Sequence, residues 1–359
     1  MSQIRLVIAD YDAMFLEKFS TYLLKNKAAG LSLELFTEKD KLAEWFKNGK
    51  NVDLVVISST LFNDLDEKPE NRNIFLLRDC AESIVPQGYN GINKFSPADQ
   101  IMKEILSSCA EYIPRDLNSG TKTGQINLVL YADGTDALNP LAQGLAHNKA
   151  SKGKRTFFIN LDEFSNTDLY LGSNNTKGLS EMLYYVKSKK DNLSLYAEVC
   201  TSCDAETGIY FMKGHNNPED VTNLKKEDLS ALLVSIHRNL PYDEIVISRG
   251  FFTDPLALAL LDEADKIYVS ALNYPTSLNR LIKITGLIRG YEEKKGQNLK
   301  DKTTFWVSSI NNGQSAPNLE IQDFDFFYLP YSDYWTSGPF LLSNEYLAAL
   351  EAALNKQEG

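Results

Sequence analysis

QINLVLYADGTDALNPLAQGLAHNKASKGKRTFFINLDEFSNTDLYLG, residues Gln125–Gly172, is the stretch that decides the fold. It opens with a short apolar run, Ile126 to Tyr131, that ends in a turn. Leu141, Leu145 and Ala146 then recur at the spacing of one helix face. Lys152-Gly153-Lys154 closes that helix, and Thr156 to Leu161 is a second apolar, β-rich run. Strand, loop, helix and strand in this compass predict a parallel βαβ crossover. The first loop of such a unit is where a phosphate-binding turn belongs.

The stretch resembles the opening of the MinD/ParA family of deviant P-loop ATPases. Tyr131-Ala132 enters the loop, Gly144-Leu145-Ala146 sits mid-helix, Gly153-Lys154 precedes the next strand, and Leu169-Tyr170-Leu171-Gly172 ends the unit. The family loop has the form K-G-G-x-G-K-T-T. Here the aligned residues run Asp133-Gly134-Thr135-Asp136-Ala137-Leu138-Asn139-Pro140. The two loop lysines fall on Asp133 and Leu138, the magnesium-binding hydroxyl falls on Asn139, and only Gly134 survives of the glycines. A phosphate cradle needs free backbone N–H groups, close-approaching glycines and a lysine. Pro140 removes one N–H. Asp133 and Asp136 add negative charge, and two like charges ~4 Å apart repel by roughly 4 kcal/mol near a surface. Asn139-Pro140 reads as an N-cap followed by proline at the first helical position. The expectation is a βα turn in an inherited fold, with ATP and magnesium disfavoured and no cofactor or metal.

Outward from this unit the resemblance continues with the same losses. The Walker B aspartate falls on Ser248, and N-L-D stands for the family's D-x-D, so that Asn160 replaces one acid and Asp162 keeps the other. Pro275-Thr276-Ser277-Leu278 matches a family turn, Asn311-Asn312 lies near the family's base-reading asparagine, and Phe326 to Tyr331 matches its last strand. Ala197 to Cys203 and Ile209 to Phe211 read as short strands, and Asn344 to Asn355 as a packing helix that is too acidic to be a membrane anchor. Cys200-Thr-Ser-Cys203 has no second pair, which favours two plain thiols over half a zinc site.

Residues 1–113 alternate five strands with helices, the pattern of a flavodoxin-like sheet. They resemble a response-regulator receiver. Asp10 and Asp12 match its acidic pair, and Lys94-Phe95 its lysine and aromatic neighbour. The phosphoacceptor position is Ser58, which has no carboxylate, and Arg78 stands where a small hydroxyl residue follows the fourth strand. Asp10 and Asp12 also read simply as turn residues capping the next helix. The resemblance, with its acceptor replaced, implies a pseudo-receiver used for contacts. Residues 114–124, polar and rich in Gly, Ser and Thr, read as a linker. Residues 125–359 form the second domain.

The fold class is therefore α/β: a flavodoxin-like receiver domain followed by a doubly wound, MinD/ParA-like P-loop NTPase fold. That layout resembles the TadZ/CpaE proteins. The resemblance implies a scaffold that marks where a Tad (Flp) pilus secretion machine assembles, acting as a homodimer through protein partners. No catalytic residue carries over. Two other readings remain: an ATP-binding dimerisation switch with a rearranged loop, and a ligand-binding protein or enzyme using Asp133, Asp136, Asp162, Arg249 or the CxxC. The net charge of −11 argues against a nucleic-acid surface. No apolar run reaches the ~18 residues of a membrane span. A strand starts at Ile4, and four cysteines are too few for a disulfide scaffold. The expected location is the cytoplasm, at a pole or the inner membrane face through partners and without direct insertion.

Overall fold

The computed structural model describes residues 4–27, 31–48, 52–69, 73–80, 84–109, 124–136, 139–239, 242–295, 298–319, 324–332 and 342–358. The chain divides into two compact units: 1–119 together with 189–199, and 120–188 together with 200–359. Most of the expected linker lies outside the described residues. The units meet at 119 and 120, within the expected linker, and beyond it the division departs from the sequence-based one in one stretch, 189–199, which packs with the first unit.

The first unit runs β1 (Ile4–Ala9), α1 (Ala13–Lys27), β2 (Leu31–Phe36), α2 (Lys39–Lys47), β3 (Leu54–Ser58), α3 (Ser59–Asp64), β4 (Ile74–Arg78), β5 (Asn90–Asn93) and α4 (Ala98–Cys109). The sheet order is β2-β1-β3-β4-β5, with every pair parallel. β3 reads LVVIS because both its faces are covered, and all five residues are buried. Two apolar clusters lie on the sheet, one with Leu16, Phe19, Ile101 and Ile105, the other with Leu42, Trp45, Leu61 and Phe62. Among the described residues between β4 and β5 there is no helix. Pro86 and Gly88, the latter at φ +95°, turn the chain there instead.

The second unit begins with β6 (Gln125–Tyr131), α5 (Leu141–Ser151), β7 (Thr156–Asn160), α6 (Thr167–Tyr170) and α7 (Leu179–Lys187). Next comes α8 (Leu193–Cys200), mostly in the first unit. The chain ends with β8 (Thr201–Cys203), β9 (Tyr210–Met212), α9 (Glu219–Thr222), α10 (Lys226–Asn239), β10 (Glu244–Gly250), α11 (Pro255–Glu263), β11 (Lys266–Leu272), α12 (Pro275–Lys295), β12 (Thr303–Ser308), β13 (Asp325–Leu329) and α13 (Asn344–Glu358). The sheet order is β13-β12-β11-β6-β10-β7-β9-β8, parallel except for the β8–β9 pair. The sequence places Ala197–Cys203 in one strand, whereas the chain is helical to Cys200. Tyr196, Ala197, Val199 and Cys200 are all buried on that helix, and so short an apolar run carries no period that separates strand from helix.

α5 lies against α13. Its Leu141, Leu145 and Ala146 share a core with Tyr346 and Leu350 and with the strand residues Val129, Tyr131 and Val246. Gly144 permits this approach: a Cβ there would stand 2.9 Å from Leu350 and 3.0 Å from Tyr346. The helix begins one residue later than the sequence predicts, with Pro140 at the cap and no side chain capping it. Asn139 is drawn elsewhere. Its amide bonds the Ser270 and Ser308 hydroxyls on β11 and β12, at 2.8 and 3.0 Å.

Candidate functional site: a crevice closed by its own side chains

The carboxyl ends of β6, β10, β7 and β11 converge on the loop at residues 132–136. Gly134 adopts φ +82°, a left-handed turn that favours glycine. A Cβ on Gly250 would come within 2.5 Å of the Gly134 carbonyl oxygen, so the loops after β6 and β10 press together. Both carboxylates of the first loop are committed inside the chain. Asp133 accepts the Ser277 hydroxyl and the Leu272 amide and lies 3.6 Å from the Arg280 guanidinium. Asp136, only 3% exposed, accepts Gln143 Nε2 at 2.8 Å and the Tyr170 hydroxyl at 2.9 Å through one oxygen. Leu138 lies outside the described residues.

One amide of the helix terminus is committed too. An α-helix leaves its first N–H groups free, and with the helix dipole they favour an anion. Here the Ala142 N–H donates to the Tyr131 hydroxyl oxygen at 3.0 Å. Burial, aided by the Asp136 charge, pushes the Tyr131 phenol well above its ordinary range, so it remains neutral. A phenol oxygen thus stands where an anion's oxygen would be bound.

Asp162 ties three loops together. Its amide donates to Asn160 Oδ1 at 2.8 Å, its carboxylate accepts the Gly250 N–H, and its carbonyl oxygen accepts from His215 Nε2 at 2.6 Å. Burial raises the carboxyl to about 7, with the Asp136 and Glu163 charges pushing the same way. The Gly250 N–H and Arg249 pull against them. Ser248 is fully buried and presents a hydroxyl, not an acid. Arg249, 1% exposed, forms a bidentate pair with Asp254 at 2.9 and 2.5 Å and lies over the Phe252 ring. Burial pushes the Asp254 carboxyl up, but the Arg249 bonds and the Ala257 N–H it caps hold it below the usual carboxylate value.

The region near Asn311 is similarly self-bonded. Gln314 accepts from Ser309 Oγ and the Ile310 amide, donates to the Asn273 carbonyl at 2.8 Å, and receives the Tyr328 hydroxyl on its own carbonyl at 2.6 Å. Asn311 and Asn312 are exposed. Among the described residues, no group of three or more His, Cys, Asp or Glu side chains is placed to hold a metal ion.

In the first unit Lys94 is the hub. Its ammonium lies 2.7 Å from Asp10, 3.4 Å from Asp79 and 3.8 Å from Asp12, and 5.0 Å from the Phe15 ring centre. Burial alone would lower the Lys94 pKa; the bonds and charges of Asp10 and Asp79 outweigh it and raise it. Asp12 also caps α1, accepting the Met14 and Phe15 amides. Ser58 caps α3 by accepting the Leu61 N–H at 3.3 Å. Arg78 is the last residue of β4 and not the one that follows it. That place belongs to Asp79, which also accepts the Thr60 amide and hydroxyl.

A two-carboxylate turn after β1, a lysine after β5 and strand order 2-1-3-4-5 are the marks of a receiver. Residues 2–110 match the TadZ-like receiver domain. Solved structures similar to this chain include a ParA family ATPase from Chlorobium tepidum TLS, 13% identical over 66% of this chain and 93% of its own, with a TM-score of 0.47. A putative plasmid partition protein from Borrelia burgdorferi B31, solved with AMPPNP, is 14% identical over 65% and 98%, with a TM-score of 0.48. The MinD cell division protein of Aquifex aeolicus is 13% identical over 65% and 98%, with a TM-score of 0.45. No curated protein matches the chain.

In the TadZ-like receiver the structure brings together Asp10, Asp12 and Lys94. It adds Asp79, which sequence reading passed over for its neighbour Arg78. Ser58 stands at the end of β3 with its hydroxyl turned to its own helix. In the second unit Asp136 and Asp162 share one electrostatic environment, while Asp133 and Asn139 point to other partners. Arg249 is more central than the sequence implies. Its signal was a lone arginine at the end of an otherwise apolar strand, five residues before an acid. A magnesium triphosphate does not fit this crevice as it would a lysine-bearing loop: the described loop brings carboxylates and no lysine, and the Ala142 amide is already bonded.

Proposed function

We propose that the chain is a localisation and assembly scaffold of the TadZ/CpaE type, serving Tad (Flp) pilus assembly through protein contacts, with its phosphate and phosphoacceptor sites out of use. One observation carries this reading: the Tyr131 hydroxyl occupies the Ala142 N–H at the head of α5, one of the groups that would bind a phosphate there. Loss of the loop lysines, the Walker B acid and the receiver acceptor points the same way. Around the crevice Phe164 and Tyr274, on loops that follow strands, and Leu169, on the short helix α6, are each more than half exposed. Such apolar groups suit a protein surface, and a second copy of the chain is the proposed occupant. No helix among the described residues is long and apolar enough to cross a membrane. The proposed place of work is the cytoplasmic side of the envelope, reached through partners.

The test is calorimetric titration of the full chain with Mg-ATP and Mg-ADP, with mass measured by light scattering on the same samples. At tens of micromolar protein no heat is expected, and the mass should not change with nucleotide. Saturable heat accompanied by a change from monomer to dimer would overturn the reading in favour of a nucleotide switch.

A further inference from the structure

The outward face of α12 carries residues that the chain's own fold does not use. Leu281, Ile284, Thr285 and Ile288 are buried and mark the inward face of the helix. Lys283, Gly286, Gly290 and Glu293 follow one another on the opposite side at steps of three and four residues. Both glycines lie inside a helix of 21 residues, where glycine is destabilising relative to alanine. Neither has a left-handed backbone, and a Cβ built on either would meet nothing within 4 Å. Gly144 of α5 shows the usual reason for such a residue, since a Cβ there would stand 2.9 Å from Leu350 on the helix packed against it. On α12 no helix of this chain takes that place among the described residues.

The charges supply an independent observation. Arg280 lies 3.6 Å from Asp133, Arg289 lies over the Phe324 ring, and Glu292 accepts the Lys300 amide at 3.0 Å. These flanking groups are engaged within the chain. Lys283 and Glu293, both exposed, have no ion pair or hydrogen bond among the described residues.

The glycines and the charges share one centre. Gly286 and Gly290 lie two positions either side of Ile288, and Lys283 and Glu293 lie five positions either side. A two-fold axis through the outward face at that level sets Gly286 against Gly290 and Lys283 against Glu293 of a second copy, each contact made twice. Ile282, half exposed, then lies along the stem of Lys294. Parallel pairing would instead put Lys283 against Lys283. Exposed ion pairs add little affinity, but they select the antiparallel arrangement.

We infer that the outward face of α12 is a docking surface for the same helix of a second copy, antiparallel, with the glycines at the crossing and two lysine–glutamate pairs flanking it. The surface is separate from the crevice rim that carries Phe164 and Leu169. The inference deepens the scaffold reading and rests on it, because copies joined in this way need no nucleotide.

The experiment is sedimentation equilibrium of the full chain, without nucleotide, across the micromolar range. A monomer–dimer equilibrium is expected. Gly286→Leu and Gly290→Leu each place a side chain at the crossing and should weaken dimerisation by about tenfold or more. Lys283→Glu and Glu293→Lys should each weaken it, and the chain carrying both should recover the original dimerisation constant, because the pair is reversed and not lost. Thermal unfolding, at a concentration where the chain is monomeric, checks the fold. The leucine variants should melt no lower than the unsubstituted chain, since leucine is the better helix former. A monomer throughout the range would overturn the inference. So would a double charge variant as weak as the single ones, or a dimer indifferent to these substitutions and split instead by Phe164→Asp with Leu169→Asp. Heat from Mg-ATP would sink the scaffold reading whatever α12 does, whereas a mass indifferent to the α12 substitutions, without ATP heat, sinks this inference alone.

Discussion

At the scale of single residues the chain replaces external ligands with internal ones. Tyr131 supplies an oxygen to a helix amide and Lys94 supplies an ammonium to three carboxylates. Asp162 has the sharpest measurable consequence. Its carboxyl is held at about 7 when folded, against 3.8 for an unperturbed aspartate. The folded state therefore holds this proton more tightly than the unfolded state. The resulting stability is fully present below the unfolded value and is lost as pH rises towards about 7. Between pH 4 and pH 8 the loss has an upper bound of about 4 kcal/mol. Asp162→Asn keeps an oxygen for the Gly250 N–H and removes the titration. Urea midpoints of the two proteins should approach each other at pH 4 and diverge at pH 8, with the variant the more stable. Parallel curves would mean that Asp162 titrates normally. The sequence made Asp162 visible as the surviving acid of an N-L-D. It could not make visible the burial that raises the pKa, which comes from three loops distant in sequence.

At the scale of elements, what was legible followed from period and punctuation. The apolar runs of β1, β3, β6, β7 and β10 stand out because a strand covered on both faces has no polar alternation. The ends of α5 show a limit. Asn139-Pro140 is a good local start signal, yet the Asn139 side chain spends its bonds on β11 and β12, strands more than a hundred residues away. Local capping rules give way when a tertiary partner competes for the same amide. α3 escaped notice because six residues span less than two turns. The close approach of α5 to α13 yields a test of packing. Gly144→Leu would drive a side chain into Tyr346 and Leu350, and overpacking of this kind costs about 1–3 kcal/mol. Leu350→Ala in the same chain should recover part of that cost by making room, whereas alone it should destabilise. Denaturant unfolding of the four proteins measures the coupling. Simple additivity would mean that the two helices part without strain.

At the scale of the whole molecule, the linker-like stretch separated two units, but it did not show that the chain leaves the second unit at 189 and returns at 200. The reason is physical: LSLYAEVC is apolar enough to suit either unit, and only packing decides. Val199, 1% exposed, belongs to the apolar cluster of the first unit with Leu16, Phe19, Ile101 and Ile105, and Leu195 packs against that cluster. The TadZ-like receiver is thus completed by residues that follow it in sequence by some eighty positions. Val199→Asp places an unpaired charge in that cluster, at a cost of several kcal/mol. Hydrogen exchange on the full-length protein should then show faster exchange of the α1 and α4 amides, whose inner faces line the cluster. Val199→Ala, which only shortens the side chain, should give a smaller change in the same amides. If Val199→Asp leaves α1 and α4 as protected as before, the segment is a passive neighbour. Loss of protection in both helices would make it part of the receiver's core, so that any fragment ending at the linker would lack a piece of its own fold.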